Sequence, residues 1–325
     1  MSKKALVTGA NGFVGTNLVR ALLAKKYEVT CLVRKTSNRR SITNLPVKFS
    51  YGECCDIDSL RNSCTHHDYL FHLAAKIKAK SKKEYFDVNL EGTKNVLEVA
   101  NELKVKKFVF LSSQAAAGPS REQRQKSEDE EENPVSYYGK SKLAAEHYII
   151  QNAKVPWTII RAASVFGPWD KDFLIYFKLA KRHIAPLAGF GEKYISLLYV
   201  EDLTDLIIRM AESNLSNSQV FFASDGIIYS WQDFINTLAD VMQKKVITIK
   251  LPIACAYSLA GFNEASKIFR NSQSTINLQK VKEMREPYWL CSPQKAMDIL
   301  GFFPQASLKQ GLQKTYQWYI DNKWL

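Results

Sequence analysis

Short apolar runs alternate with amphipathic stretches along the first half of the chain. Apolar runs bounded by turn residues are typical of buried parallel strands, and a 3.6-residue period between them indicates helices. The predicted strands cover residues 5–8, 28–33, 47–51, 68–73, 107–111, 155–161 and, later in the chain, 219–223. This order predicts an α/β fold with a doubly wound parallel sheet.

The regular alternation is lost after residue 167. Helices are predicted at residues 172–182, from residue 199, at 230–243 with Ser230 as N-cap, and at 307–322, with loop and short strand between them. We therefore predict one domain over residues 1–167, to which the chain returns at about 199–226. Residues 168–198 and 227–325 would form a smaller, mostly C-terminal lobe.

Composition narrows the class of protein. The chain has 325 residues, 46% of them apolar, and a net charge of +13. Such a charge suits nucleic acid, an anionic membrane surface or anionic ligands. Because the lysines and arginines are scattered through patterned segments, we favour a basic enzyme and expect no nucleic acid partner. The six cysteines form no CxxC pair, so we expect free thiols, a cytoplasmic location and no metal site.

The longest apolar run covers residues 251–262 and is too short to span a bilayer. It could line a pocket, meet another subunit, touch a membrane surface or belong to the core. The opening Met1-Ser2-Lys3-Lys4 leads straight into the first strand, so no signal peptide is expected.

A glycine-rich turn follows the first strand. Gly9, Gly12 and Gly15 are three residues apart and open an amphipathic helix. Such glycines allow close approach of the backbone to a pyrophosphate, for which the helix N-terminus offers amide donors. The motif predicts a dinucleotide-binding, Rossmann-type domain, with a plain strand–helix turn as the alternative. The smaller lobe would then bind the substrate.

The second strand is followed by Arg34, in a basic loop with no acidic residue. An NAD site usually has an acid near this place, bonded to the adenosine ribose. A guanidinium pairs with a 2′-phosphate that a carboxylate would repel. We therefore favour NADP(H), with NAD(H) as the second option and a solvated basic loop as the alternative.

Tyr138 and Lys142 lie four residues apart on a predicted helix and so share a face. A nearby ammonium lowers the pKa of a phenol from its ordinary value near ~10. The pair is suited to proton transfer in a carbonyl/alcohol interconversion. This spacing is common by chance; its position after the glycine turn and after the strand that ends in Ser112 and Ser113 gives it weight. The acidic run 128–132 before it predicts a mobile, solvated loop.

Several segments together resemble the extended short-chain dehydrogenase/reductases of the NAD-dependent epimerase/dehydratase superfamily. They are TGANGFVG (8–15), GECCD (52–56), HLAA (72–75), NLEGTKNVLE (89–98), FLSS (110–113), YGKSK (138–142), RAASVFGP (161–168) and YVEDL (199–203). The resemblance covers nearly the whole chain and is strongest over residues 4–170. We also expect a homodimer that acts on a small molecule.

The resemblance implies a role for each matching residue. Tyr138 would be the catalytic acid/base, Ser113 would hold the substrate oxygen, and Lys142 would bond the nicotinamide ribose and lower the pKa of Tyr138. With Arg34 added, the cofactor-binding residues would be Gly9, Asn11, Gly12, Phe13, Val14, Gly15, Arg34, Glu53, Cys54, Ala74, Ala75, Lys142, Ala162, Ser164 and Val165.

The chain departs from the family pattern in three places. Glu53 stands where aspartate is usual, and Ala162 replaces a proline. Residues 114–117 lack both the tyrosine common in sugar-nucleotide epimerases and the carboxylate pair that 4,6-dehydratases need. With Arg34, this favours the branch that resembles dihydroflavonol reductases, 3β-hydroxysteroid dehydrogenases and hopanoid-associated epimerase-like proteins.

We therefore expect an NADP(H)-dependent oxidoreductase that interconverts a carbonyl and an alcohol on a partly apolar small molecule. The alternative is an NAD(P)-dependent sugar-nucleotide epimerase or dehydratase. A third option is a non-catalytic NADP-binding sensor or RNA-binding protein, although such members of the fold usually lack the Tyr/Lys pair.

Overall fold

The computed structural model describes residues 2–266 and 278–325, with the backbone alone for residues 262–266. The strands are β1 (Lys4–Thr8), β2 (Glu28–Val33), β3 (Lys48–Tyr51), β4 (Tyr69–His72), β5 (Lys107–Ser113), β6 (Trp157–Ala162), β7 (Ser164–Phe166), β8 (Ile184–Ala188), β9 (Tyr194–Ile195), β10 (Leu197–Tyr199), β11 (Gln219–Ala223), β12 (Tyr229–Ser230), β13 (Ile247–Leu251) and β14 (Tyr288–Trp289).

The helices follow the same chain order. They are α1 (Phe13–Ala24), α2 (Ile57–Ser63), α3 (Lys82–Phe86), α4 (Gly92–Leu103), α5 (Gln114–Ala117), α6 (Tyr137–Asn152), α7 (Leu174–Lys181), α8 (Val200–Glu212), α9 (Trp231–Met242), α10 (Ile253–Ser266), α11 (Leu278–Arg285), α12 (Gln294–Leu300) and α13 (Leu308–Asp321). A π-helical turn, Asp87–Glu91, joins α3 to α4, and a 3₁₀ turn, Asn214–Ser216, follows α8.

In the described part of the chain, seven strands form one parallel sheet in the order β11-β6-β5-β4-β1-β2-β3. The chain runs outward from β1 to β3 and then returns to β4 on the other side of β1. This reversal is the topological switch point, where such sheets bind ligands outside the carboxyl ends of the strands. The predicted doubly wound α/β fold is confirmed.

Helices cover both faces of this sheet, which explains the continuous apolar runs of its strands. Helices α1 and α8 pack with one set of buried strand residues, and α4 and α6 pack with the other. The remaining strands form small sheets. One consists of β8 and β13, and another consists of β12, β9 and β14. An aromatic cluster around Phe177, Phe234 and Tyr319 packs beside them.

Two predictions about local structure need correction. The sequence predicts one long helix over residues 82–103, but in the structure the π-helical turn interrupts it. The acidic run is not a freely solvated loop, because Glu128 and Glu132 are half-buried and bonded. The Glu128 carboxylate accepts a hydrogen bond from the Phe222 amide at 2.6 Å, and Glu132 pairs with Arg161 at 2.8 Å.

One finding concerns membranes. Among the helices of the described residues, none combines the length and the apolar character that crossing a bilayer requires. The side chain of Phe262, at the end of the predicted apolar stretch, lies outside the described residues. Residues 267–277 of the predicted smaller lobe lie outside them too.

Candidate active site

The glycine turn between β1 and α1 is fixed by backbone packing. Gly9 has a φ of +69°, and a Cβ on it would lie 2.7 Å from the Ala74 nitrogen. A Cβ on Gly15 would lie 2.1 Å from the Gly9 oxygen. Both positions therefore require glycine for the fold itself, because any side chain would collide with backbone.

The start of α1 is open to a ligand. Gly12 is the N-cap residue, and no side chain in the described ranges caps the helix. The amides of Phe13 and Val14, in the first turn, point along the axis where the helix dipole is positive. These donors fit the pyrophosphate of a dinucleotide, which needs backbone amides and tolerates little side-chain bulk.

The basic loop after β2 lies beside this turn. The Asn11 side chain donates a hydrogen bond to the Asn38 carbonyl at 3.0 Å, which ties the turn to the loop. Arg34 and Glu53 form an exposed ion pair, with Arg34 Nη1 3.8 Å from Glu53 Oε1. Sequence reasoning treated these two residues separately; the structure brings them together at the ends of neighbouring strands β2 and β3.

A buried hydrogen-bond chain holds the end of β4 against β1. The two ring nitrogens of His72 contact Thr8 Oγ1 at 2.7 Å and Thr93 Oγ1 at 3.0 Å. Burial lowers the pKa of His72 to about 3, so the ring is neutral. The Ala74 amide donates to the same Thr8 oxygen at 3.2 Å, which fixes Ala74 and the following Ala75 at the switch point.

Cys54 and the residues after β6 line the same edge of the sheet. Cys54 is half-buried against α4, and burial raises the pKa of its thiol to about 12. Beyond Ala162, which ends β6, the Ser164 amide donates to the Ser196 carbonyl at 3.3 Å, and Val165 continues in β7 beside β10. The predicted cofactor residues Ala162, Ser164 and Val165 therefore lie at, or just beyond, the carboxyl end of β6.

Tyr138 and Lys142 lie one turn apart on α6, as predicted. Ser136 caps this helix by accepting a hydrogen bond from the Gly139 amide at 3.1 Å. The Ser113 hydroxyl, at the end of β5, accepts a hydrogen bond from the Ala115 amide at 3.1 Å and lies beside the Tyr138 hydroxyl, where it acts to lower the phenol pKa. Lys142 Nζ donates to the Leu111 carbonyl at 2.8 Å and lies 3.8 Å from the centroid of the Phe110 ring.

Burial shifts both ionisable groups of this pair toward their neutral forms. It raises the pKa of Tyr138 above its ordinary value; the charge of Glu283 adds to this, and the Ser113 hydrogen bond opposes it. Burial lowers the pKa of Lys142 to about 7, with the charge of Glu146 opposing. The sequence analysis expected a lowered phenol pKa, but desolvation of the phenolate has the larger effect.

Residues 5–221 match the model of the NAD dependent epimerase/dehydratase family. The chain belongs to this family. It is 28% identical to a UDP-glucose 4-epimerase of Vibrio cholerae, over 99% of this chain and 97% of that protein. It is 26% identical to a ceramide reductase of Caulobacter vibrioides, over 98% and 95%. The resemblance to extended short-chain dehydrogenase/reductases is confirmed, and the match supports an NAD(P)-dependent enzyme.

The fold comparison gives the same class. The UDP-glucose 4-epimerase of Thermotoga maritima superposes with a TM-score of 0.81, covering 98% of this chain and 99% of that one. The two sequences are 22% identical, so this likeness shows the fold alone.

Asn89 is a residue of this epimerase/dehydratase site to which the sequence analysis gave no role. It lies in the π-helical turn and is almost fully buried. Its Oδ1 accepts from the Lys76 amide at 2.6 Å, and its Nδ2 donates to the Lys76 carbonyl at 3.1 Å and to Ser141 Oγ at 2.8 Å. Asn89 thus joins the loop after β4 to the helix of Tyr138 and Lys142. Its place in the quoted segment 89–98 was the available signal.

Helix α11 was also missed, although it brings a carboxylate toward Tyr138. The Tyr137 amide donates to Gln279 Oε1 at 3.0 Å, which seats α11 against the start of α6. Glu283 is one turn further along the same face of α11. It pairs with Lys280 at 3.1 Å. The mostly polar sequence of α11 carries no periodic pattern from which this placement could be predicted.

Proposed function

We propose that this protein is an NADP(H)-dependent oxidoreductase that interconverts a carbonyl and an alcohol on a partly apolar small molecule. The observation that carries the proposal is the contact of Tyr138 with Ser113 at the sheet edge that also holds the open glycine turn. In this proposal, residues 1–167 and 199–226 bind the dinucleotide. Residues 168–198 and 227–325 cover the substrate.

Ser113, Tyr138 and Lys142 have separate roles in the proposed reaction. A bound nicotinamide supplies or accepts the hydride. Ser113 holds the substrate oxygen by a hydrogen bond, and the Tyr138 hydroxyl gives a proton to this oxygen in reduction and takes it back in oxidation. Since burial raises the pKa of Tyr138, the phenol carries its proton at neutral pH, which suits the reducing direction. Lys142, which donates to the Leu111 carbonyl, would bond a ribose hydroxyl of the cofactor.

Two features support a partly apolar substrate. One relative that aligns over nearly the full length is a ceramide reductase, whose name gives an apolar substrate. Residues 114–117, after Ser113, are Gln-Ala-Ala-Ala and bring no carboxylate next to Ser113.

The NADP(H) preference rests on Arg34. Its guanidinium is exposed beside the turn, and Glu53, its partner at 3.8 Å, is too distant for a tight bidentate pair. A 2′-phosphate would give a charge-assisted pair of about 1.5–3 kcal/mol, or about one to two decades in affinity.

Calorimetric titration of the wild type with NADP and NAD measures this preference directly. Arg34→Asp should abolish it, whereas Lys48→Asp, an exposed change at the other end of β3, should leave it intact. Equal or tighter binding of NAD by the wild type would reject NADP(H) as the preferred cofactor.

Sugar-nucleotide epimerisation is the second candidate, favoured by the 28% identity with the epimerase of Vibrio cholerae. Cofactor stoichiometry separates the two reactions. A reductase consumes one NADPH for each product, so the absorbance of the reduced cofactor falls steadily during turnover of ketones. Product formed from nucleotide sugars without net consumption of cofactor would reject reduction in favour of epimerisation.

We also propose a cytoplasmic homodimer. The cysteines in the described part of the chain, all of them free thiols, support a reducing compartment. Sedimentation equilibrium of the purified protein tests the dimer, and a monomer mass at micromolar concentration would reject it.

A further inference from the structure

Strands β8 and β13 form a small parallel sheet with an apolar outer face. Alternate residues of a strand point to the same side, and in this register Ile184, Pro186 and Ala188 are paired with Ile247, Ile249 and Leu251. All six side chains on this side are apolar, and we call it the β8–β13 face. Ile247 is 68% exposed, Ile249 41% and Leu251 40%.

The opposite side of β8 packs against the hydrophobic core. Ala185 is buried and Leu187 packs against the aromatic cluster. A small sheet with one face on the core normally has polar residues on the other, so the apolar outer face is not explained by folding. Contiguous exposed apolar surface is typical of an interaction site.

Basic residues flank one end of the β8–β13 face. The Ile247 amide donates to the His183 carbonyl at 2.9 Å, and His183 Nδ1 contacts the Lys245 carbonyl at 2.8 Å. These bonds bring together the segments before the two strands. The exposed cations there are Lys181, Arg182, Lys244 and Lys245. Residues 181–188 and 240–261 contain five lysines and arginines, namely these four and Lys250. They contain one acidic residue, Asp240.

Helix α10 extends the apolar surface. It begins two residues after the end of β13, and residues 253–261 contain no charged side chain. Ala254, Cys255 and Leu259 are exposed, which is the reverse of what a core helix would show. A helix of 14 residues is about 21 Å long, so it suits the interface of a bilayer rather than its span.

We propose that the β8–β13 face, with residues 253–261 of α10, rests on the surface of an anionic lipid bilayer. Apolar side chains would enter the boundary of the acyl chains, and the cations at their edge would meet the anionic headgroups. A protein partner could match the apolar face, but the excess of cations around it matches a uniformly anionic surface better. The inference goes beyond the reaction, because it states where the enzyme would meet an apolar substrate.

Co-sedimentation with vesicles tests the proposal. The full-length protein should bind vesicles of phosphatidylcholine and phosphatidylserine, bind pure phosphatidylcholine at least tenfold more weakly, and dissociate as salt is raised. Ile247→Asp should reduce binding at least tenfold, and Lys244→Glu with Lys245→Glu should remove the dependence on phosphatidylserine. Leu215→Asp is the matched control, since Leu215 is 66% exposed on another surface, and it should bind as the wild type does.

Three results would overturn the proposal. The first is that the wild type does not bind the anionic vesicles. The second is that Ile247→Asp binds them as well as the Leu215→Asp control does. The third is that Ile247→Asp converts a dimer to a monomer while the wild type does not bind lipid. The last result would assign the face to a second copy of the chain. Turnover of a water-soluble ketone by Ile247→Asp should stay at the wild-type rate, so failure of the membrane inference and failure of the proposed reaction are distinguishable.

Discussion

Burial controls the protonation of the two groups that define the site. It raises the pKa of Tyr138 and lowers that of Lys142 to about 7. Over the window from pH 7 to the ordinary lysine value of 10.5, the unfolded chain holds the Lys142 proton more strongly than the folded one does. The stability cost of burying Lys142 is therefore full below pH 7 and declines as the pH rises through this window.

Tyr138→Phe should lower turnover by about 10²–10⁴-fold and leave cofactor affinity unchanged, because it removes only the hydroxyl that transfers the proton. Steady-state rates and calorimetric titration measure the two effects. Tyr137→Phe is the control. Tyr137 precedes Tyr138 on α6 and is half-buried, and the loss of its hydroxyl should leave turnover intact. Near-native turnover of Tyr138→Phe would contradict the assignment of the acid/base.

Glu283→Gln should move the pH dependence of alcohol oxidation toward lower pH. Oxidation needs the phenolate, so its rate rises with pH up to the pKa of Tyr138, and the negative charge of Glu283 raises that pKa. Reduction needs the phenol and should stay flat across neutral pH in both proteins. Glu286→Gln, just beyond α11, should leave the profile as it is. A Glu283→Gln profile that coincides with the wild type would show that this carboxylate does not act on Tyr138.

At the scale of elements, the sequence predicts the central sheet well and the irregular helices poorly. Strands β2 and β11 have the predicted bounds, because short, mostly apolar runs between turn residues leave few alternatives. Helix α2 has one buried residue, Leu60, and no periodic stripe, so its pattern could not reveal it. The π-helical turn was hidden because its own residues, 87–91, contain no glycine or proline and continue the helical pattern of their neighbours.

Asn89→Ala tests the importance of this turn. It removes three hydrogen bonds and leaves the partly buried amide and carbonyl of Lys76 without their asparagine partner, so the free energy of unfolding should fall by about 2–4 kcal/mol. Urea unfolding measures it. Asn152→Ala, at the exposed end of α6, is the control and should change it by less than about 0.5 kcal/mol. A loss for Asn89→Ala as small as that of the control would mean that the π-helical turn holds without its asparagine.

Over the whole molecule, the site is assembled from residues that are far apart in sequence. The glycine turn and the Tyr138/Lys142 pair could be predicted because each is a local pattern with its own chemistry. The approach of Glu283 to Tyr138 and the Arg34–Glu53 pair depend on tertiary packing, which local sequence patterns do not predict. For the same reason the acidic run seemed solvated, although Glu132 reaches a buried arginine.

That arginine belongs to a buried network that joins helix α6, two strands of the sheet and the acidic run. Arg161 Nη2 lies 2.7 Å from Glu146 and 2.8 Å from Glu132, and the other oxygen of Glu146 accepts from the Ser112 hydroxyl. The Arg161 side chain is 3% exposed and that of Glu146 is fully buried. Each of these two buried charges depends on the other: Glu146 alone would be unpaired in a medium of low dielectric constant, and Arg161 alone would keep only its pair with the half-buried Glu132.

Arg161→Leu should therefore lower the free energy of unfolding by about 3–5 kcal/mol, because it leaves the buried charge of Glu146 without a partner. Glu146→Leu should lower it by less, because Arg161 keeps its pair with Glu132. The double variant should lose less than the sum of the two, since it removes both charges of the buried pair together. Arg209→Leu, which breaks an exposed pair with Asp205, is the control and should cost less than about 1 kcal/mol. If the effects of the two changes were additive in guanidinium unfolding, Arg161 and Glu146 would act independently, and the network would not couple the helix to the sheet.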